Sequence, residues 1–365
     1  MGQKLVGILL NAAMHRGVPR LKTGQESLES YEEAAAAYGL TPCFLKLSDI
    51  DTGSGYSIAY VKGPNGYRSA VIPTPDAIHN RAIYDPGSQG VERILRSGVQ
   101  VYNTCNRYGK DQIHGLLEQN EGLRGLLPAT SAGLAGLKEM MDSYSDLILK
   151  PCRGSIGQGV MRLSRNSPGH WTWSYLPGGS NSWASTAVRQ DALPRALRAR
   201  LASAPYLVQE RIPLAELGGR PFDLRVTVQR GWGGEWQVTG LFAKRAAPGG
   251  FVSNIARGGE ALDSIFVLER AFSGPAAAGI RMSVLAHSLS IARELEKNLP
   301  GLADIGLDMG ITGKGRIYFI ECNGRDQRYG FRKAGLTGTW KESYRKPMAY
   351  ARYLLDHPAP QHNSY

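Results

Sequence analysis

Cysteine is scarce: Cys43, Cys105, Cys152 and Cys322 stand far apart in a chain of 365 residues, with no Cys-x-x-Cys pair. That spacing argues against a structural zinc site and gives no disulfide framework, so reduced thiols are expected. Long apolar runs are also missing. The longest near the start, Leu5 to Leu10, is too short for a bilayer and carries no small-residue cleavage site, so a soluble cytoplasmic protein with no membrane partner is expected. No fixed-period repeat is visible, which argues against a solenoid. Acidic side chains are in deficit, 31 Asp and Glu against 43 Lys and Arg, a formal net charge of +12. The basic residues scatter and form neither a dense run nor a known DNA or RNA module, so nucleic acid is not expected as a partner. The surplus fits an ordinary solvated basic surface, and it also suits a cleft that gathers triphosphate and carboxylate substrates.

What is present is a 42% hydrophobic share with six Trp and seventeen Tyr, more than a disordered chain carries, over a length that suggests two or three domains. The first hundred residues alternate strand and helix signals, as an α/β layer does. Strands are predicted at Lys4 to Leu10, Cys43 to Leu47 and Val99 to Tyr102. Helices are predicted at Thr23 to Tyr38, opened by a Thr23…Glu26 capping box, and at Ser88 to Arg96. These make an N-terminal open sheet domain, residues 1–105. A central unit, 106–205, holds helices at Lys110 to Leu117, Leu134 to Met141 and Asp191 to Leu201. Around Asp146 to Trp173 it reads strand, glycine-rich loop, strand, and residues 130–204 are taken as a mobile α+β lid. A third unit, 206–357, supplies strands at Tyr206 to Ile212, Phe222 to Arg230 and Gln237 to Lys244, a long helix at Ile280 to Lys297 and a terminal hairpin. Residues 358–365 are a frayed tail.

Lys150 ends an apolar strand and is followed by Gly154, Ser155, Gly157 and Gly159. Glycines let backbone N–H groups approach an anion and the lysine adds a point charge, so the segment is a phosphate-site candidate. A strand-like stretch follows, unlike a Walker loop or a Rossmann turn, both of which open a helix. A purely structural turn is the alternative. Further on, Asp308 and Glu321 sit in two apolar strands around Thr312-Gly-Lys-Gly315. A turn centred on Lys314-Gly315 sets the two acids opposite each other, with Asn323 on the same face as Glu321. Facing carboxylates repel unless a cation lies between them, and two carboxylates plus an amide oxygen suit Mg²⁺ held with nucleotide phosphates. In another register the acids would simply be solvated. In Phe222 to Gln229 the apolar Phe222, Leu224, Val226 and Val228 share one face, while Asp223, Arg225 and Thr227 share the other. Arg225 therefore suits either a phosphoryl oxygen or a structural ion pair. Lys244-Arg245 adds a cation pair, and 253–259 a polar loop ending in two glycines.

The order of these motifs over Asn106 to Arg325 resembles the ATP-grasp superfamily. The matching residues are Lys110, Lys150, Asp223-Leu-Arg225, Asn254 and Glu321-x-Asn323, and Arg107-Tyr-Gly-Lys110 with Leu127-Pro-x-Thr130 resembles the spore-coat-associated YheC/YheD type. The resemblance implies an ATP-grasp fold, with ATP between two α+β halves and the glycine hairpin closing over it. It assigns Lys110 and Lys150 to the α- and β-phosphates, the 154–159 loop to the triphosphate, and Gln209, Glu210, Arg211 and Ile212 to adenine and ribose. Arg225, Arg245 and Asn254 would stabilise the transferring phosphoryl group, and Asp308, Glu321 and Asn323 would hold one or two Mg²⁺, with Mn²⁺ as an alternative. The implied activity is ATP-dependent ligation of a carboxylate to an amine, of amino acids or peptides, through an acyl phosphate. A spore-coat structural protein with little turnover is the other implied reading. The Gly324-Arg-Asp-Gln-Arg328 continuation departs from the family's usual Pro-Gly ending, at the expected acceptor site.

Overall fold

The computed structural model describes residues 4–84, 89–154, 157–178 and 182–358, so Ser88, Ser155 and the tail beyond Pro358 lie outside the described residues. Counts of elements below refer to the described part.

Three sheets carry the chain. In the first, Lys4–Leu9 pairs in parallel with Leu40–Leu45 on one side and Ala77–Asn80 on the other, and Gln100–Tyr102 extends the parallel set. Val6, Ile8, Leu9, Phe44, Leu45 and Ile78 are fully buried, as strands covered on both faces require. A hairpin of Tyr56–Gly63 and Gly66–Pro73, not anticipated from sequence, widens the sheet, and Ile58 and Val71 on it stay exposed. The first predicted helix is shorter than expected, Leu28–Ala36, and its N-cap is Ser27, whose side chain accepts from the Ser30 amide. The Thr23…Glu26 box does not form because the Glu26 carboxylate is drawn inward to Arg81, at 3.0 and 2.9 Å. Such a buried charge-assisted pair outweighs a cap to a backbone amide.

The central sheet runs Ala184–Arg189, His170–Tyr175, Met161–Ser167, Asp146–Pro151, Tyr206–Glu210, Thr130–Ala132, all antiparallel. Tyr206–Glu210, assigned by sequence to the third unit, thus lies inside this sheet. Trp171 and Trp173 are buried in its core with Leu147, Leu163 and Leu197. The helix expected from Asp191 begins only at Arg195, after Pro194, because the residue before a proline is pushed out of helical geometry.

The third sheet runs Glu260–Asp263, Trp236–Arg245, Arg220–Arg230, Asp304–Ile311, Ile317–Asn323. Phe222, Leu224, Val226 and Val228 are fully buried against the long helix Gly274–Asn298, which leaves Asp223, Arg225 and Thr227 on the opposite face. A second long helix, Thr337–Asp356, escaped the sequence reading because Pro347 lies within it. Proline removes the donor for the carbonyl one turn earlier, and Gln229 supplies it instead, donating from Nε2 to Ser343 O at 2.9 Å. Tyr344, Met348 and Tyr350 on this helix join Tyr31 and Tyr102 in one core, so the first domain packs directly on the third.

A buried charge cluster crosses the same boundary. Asp304 accepts from Arg328, from Arg81 Nη1 at 3.3 Å and from Gln229 Nε2 at 3.0 Å, and lies 3.3 Å from His79 Nε2. Arg81 also donates to the Asp326 carbonyl at 2.7 Å. The Gly324–Arg328 segment therefore ties the two units together. Burial works against the Asp304 carboxylate, yet the Arg328 and Arg81 guanidiniums hold it well below the usual range.

Candidate active site

Between the central and third sheets lies a cavity of about 170 Å³, lined on one side by Ile148, Lys150 and Gln209 to Ile212, and on the other by Asp223, Lys244, Asp308, Ile320 and Glu321. Phe251 to Asn254 form its rim. A second cavity of about 110 Å³ shares Gly157, Lys244, Asn254, Asp308 and Glu321 with it and extends toward Arg225, Asn323 and Arg325. Apolar walls from Ile148, Ile212 and Ile320 thus lead to a strongly charged end.

Asp308 does pair with Glu321 across the hairpin, though by a different route from the one expected. The turn closes one residue earlier, with Gly315 N donating to Thr312 O at 2.8 Å, and an irregularity at Ile320 restores the register. A bulge re-aims the strand beside it. The Lys150 ammonium donates to the Ile320 carbonyl at 3.1 Å. Burial pushes Lys150 down to about 8, with Glu321 and Asp308 opposing that shift and Lys110 adding to it.

Lys110, the first residue of the helix Lys110–Glu118, donates to the Gly154 carbonyl at 3.1 Å and sits 3.3 Å from Glu321 Oε1. The glycine loop is thereby tied to the acid-bearing strand. Gly157 and Gly159 have φ of 63° and 75°, the left-handed region where glycine is favoured. A Cβ on Gly157 would lie 3.9 Å from Asn254 Nδ2, so loop and rim approach closely. Phe251 strengthens this contact, with the Trp183 ring 4.3 Å away and the Arg162 guanidinium 5.7 Å from its centroid.

On the polar face of Arg220–Arg230, Arg225 is fully engaged. Its Nε donates to Asp308 Oδ1 at 2.7 Å, Nη2 to Asp308 Oδ2 at 3.3 Å and Nη1 to Asp326 Oδ1 at 3.0 Å. Lys244 Nζ lies 3.0 Å from both Asp223 and Asp308. Burial works against the Asp308 carboxylate, yet Arg225 and Lys244 hold it well below the usual range. Asp223, which has Lys244 and Ser253 but faces the Asp308 charge, is pushed up to about 6, mainly by burial.

Most sequence candidates converge. Lys150, Gln209, Glu210, Arg211, Ile212, Asn254, Asp308 and Glu321 line the first cavity, and Arg225 and Asn323 the second. Gln209 donates to Thr130 Oγ1 at 2.8 Å, and Glu210 accepts from the Ala129 amide at 3.0 Å, so the Leu127-Pro-x-Thr130 segment positions this wall. Arg245 does not join them. Neighbouring strand residues face opposite ways, so Arg245 turns to Glu260 while Lys244 enters the cavity. Lys244 and Asp223 oppose each other in the hairpin register, and applying the two-residue period to both strands would have selected Lys244 over Arg245. Asp326, which anchors Arg225, carried no sequence signal.

The match to a YheC/D-like ATP-grasp family model extends over residues 98–354, most of the chain and all of the cavity lining. The chain belongs to that family. Among curated relatives, the endospore coat-associated proteins YheD and YheC of Bacillus subtilis (strain 168) are 24% identical over 310 residues and 20% identical over 284 residues. These alignments take in 80% and 74% of this chain, and 66% of YheD, just under two thirds of its length, and 75% of YheC. Among solved structures, the D-cycloserine synthetase DcsG has a TM-score of 0.54 at 13% identity over 96% of this chain and 99% of its own. The ATP-grasp ligase PsnB complexed with minimal precursor has a TM-score of 0.51 at 16% identity, with the same coverage of both chains. At those identities the likeness establishes the fold, which is ATP-grasp. Within the described residues, no helix is long and apolar enough to cross a membrane.

Proposed function

We propose that the chain is an ATP-dependent carboxylate–amine ligase. The observation that carries this reading is the continuity of an apolar slot with a charged end, where Lys110, Lys150, Arg225 and Lys244 meet Asp308 and Glu321. Adenine and ribose would occupy the Gln209-to-Ile212 wall, placing the triphosphate toward Lys150 and Lys110. Backbone amides of Gly154, Gly157 and Gly159 would cover it. Lys244 and Asn254 would face the transferring phosphoryl group, and Arg225 would join them on giving up part of its hold on Asp308; Arg245, turned away, is given no such role.

Asp308, Glu321 and Asn323 line one cavity and offer hard oxygen donors of the kind that Mg²⁺ takes, and Asp308 would share its oxygens between such an ion and the Arg225 and Lys244 that hold them here. Bound there with the nucleotide, Mg²⁺ would neutralise phosphate charge. No cluster of three His, Cys, Asp or Glu exists among the described residues, so the third donor would be the Asn323 amide. Glu321 would exchange its contact with Lys110 for the ion.

A carboxylate is a poor acyl donor because oxide is a poor leaving group. In the proposed reaction a carboxylate oxygen attacks the γ-phosphorus, the bond to the β-phosphate oxygen breaks, and ADP departs. The amine then attacks the acyl phosphate, phosphate leaves, and the nitrogen loses a proton to give the amide. The fixed cations and the glycine loop position the reactants and exclude water, so catalysis needs little covalent participation by the protein. The endospore coat-associated relatives YheD and YheC support a second reading, a spore-coat component that retains the fold with little turnover. Incubation with Mg-ATP and pooled amino acids, followed by ADP and amide mass measurement, separates them. Stoichiometric ADP and new amides support ligation. ATP binding without either supports the coat component.

A further inference from the structure

The second cavity contains two arginines in opposite states. Each hydrogen-bonding side of Arg225 meets a carboxylate, Asp308 or Asp326. Arg325 meets none at hydrogen-bond range. Its nearest carboxylate oxygen, Glu26 Oε1, is 3.6 Å away and already accepts two hydrogen bonds from Arg81. The remaining oxygen of Glu26 accepts from Tyr31 at 2.9 Å. Arg325 instead rests on the Asn11 amide oxygen at 3.4 Å and the Met14 sulfur at 3.5 Å, while its buried Nε has no acceptor. Its side chain is 15% exposed and lines the cavity with Gln327 and Tyr329. A mostly desolvated guanidinium whose one carboxylate contact is long and shared with Arg81, and whose other partners are weak and neutral, favours a planar anion that accepts two hydrogen bonds.

The same cavity shares Asp308, Glu321 and Asn254 with the nucleotide slot. A molecule held at Arg325 by one end would present its other end to the phosphoryl-transfer region. We infer that Arg325 anchors a carboxylate of the amine-bearing substrate, making that substrate an amino acid or a peptide with a free carboxylate and excluding simple alkylamines. This rests on the ligase reading above and adds the acceptor's chemical class to it. Arg325 lies in the segment that departs from the family's usual ending, so its role comes from its own surroundings. Gln327 on the same segment and Tyr329 just after it offer further donors to the bound anion.

The test gives the full-length protein Mg-ATP and pooled amino acids as donors, with isotope-labelled amino acids or the corresponding labelled amino-acid amides as competing acceptors. The expected result is labelled dipeptides over labelled dipeptide amides by about tenfold or more, the scale of a lost charge-assisted pair. R325Q, checked for folding by Mg-ATP binding, should raise the acceptor KM by at least about tenfold with a smaller change in kcat, and R325K should recover part of it. Dipeptide amides formed as readily as dipeptides would overturn the anchor while leaving the ligase reading intact. This comparison uses the unmodified protein and does not depend on the variant's folding. An unchanged acceptor KM in folded R325Q would also overturn it. ATP binding with no ADP or amide in either arm overturns the ligase reading itself, and the anchor with it.

Discussion

Lys150 gives a quantitative test of where the phosphates bind. Its amine is held at about 8, against an ordinary 10.5, because the strand end buries it and Lys110 lies nearby. That difference corresponds to about 3 kcal/mol of disfavoured charging. Phosphate oxygens at the ammonium would restore an ordinary value, so nucleotide binding should draw a proton from solvent. At pH 8 the free protein is half protonated at this site, and uptake should approach about 0.5 proton per nucleotide. Below 8 the charge is present and affinity is high. Above 8 the neutral amine must first be protonated, so affinity should fall about tenfold between pH 8 and 9.5. Calorimetric titration of Mg-ATP in buffers of different ionisation enthalpy reads both quantities, and Lys150→Met should abolish the uptake and flatten the profile. Zero uptake at pH 8 with constant affinity to pH 9.5 would refute contact between Lys150 and the nucleotide.

Other residues of the site give independent outcomes. Glu321→Ala should abolish ADP formation while leaving the far-ultraviolet dichroism unchanged, since its side chain is 28% exposed and bonds only at the cavity; undiminished ADP release from the folded variant would contradict its assignment. Arg225→Ala leaves Asp308 and Asp326 without their shared partner and should cost about 3–5 kcal/mol in denaturant unfolding, as well as rate. A loss below about 1 kcal/mol would mean the cluster is solvated. Asp223 binds its proton more tightly when folded, being pushed up to about 6, so its contribution to stability is present at low pH and is lost as pH rises from about 4 through 6. Stability measured over that interval should therefore decline more steeply with rising pH in the wild type than in Asp223→Asn. Parallel profiles would count against the buried like-charge arrangement.

The site was legible where two-residue periodicity met a tight turn. The division of Phe222–Gln229 into an apolar and a polar face, and the shared face of Glu321 and Asn323, follow from side-chain alternation alone, whereas the pairing of Asp308 with Glu321 also needs the bulge at Ile320. Alternation also distinguishes Lys244 from Arg245, once the facing strand is taken into account. Hidden features depend on contacts remote in sequence. Glu26 resembled a cap because its buried partner, Arg81, is 55 positions away. The Thr337–Asp356 helix was masked by Pro347, whose missing donor is replaced by Gln229 from another strand. Asp326 belongs to a segment without a family pattern, and its function as the anchor of Arg225 exists only after folding.

The ion cluster around Asp304 determines which part of the molecule can swing. Turning the first domain against the third would strand Arg81 and His79 away from the Asp304 carboxylate that they share with Arg328, each already stripped of water. The central sheet is held across the cleft by smaller fastenings, among them the Lys150 bond to the Ile320 carbonyl, the Lys110 to Gly154 bond and the packing of Trp183 and Arg162 on Phe251. On the proposed function, nucleotide entry and product escape would fall to that flap, pivoting on a welded base, and loosening Phe251 should quicken the exchange of ADP without disturbing the chemistry beneath it.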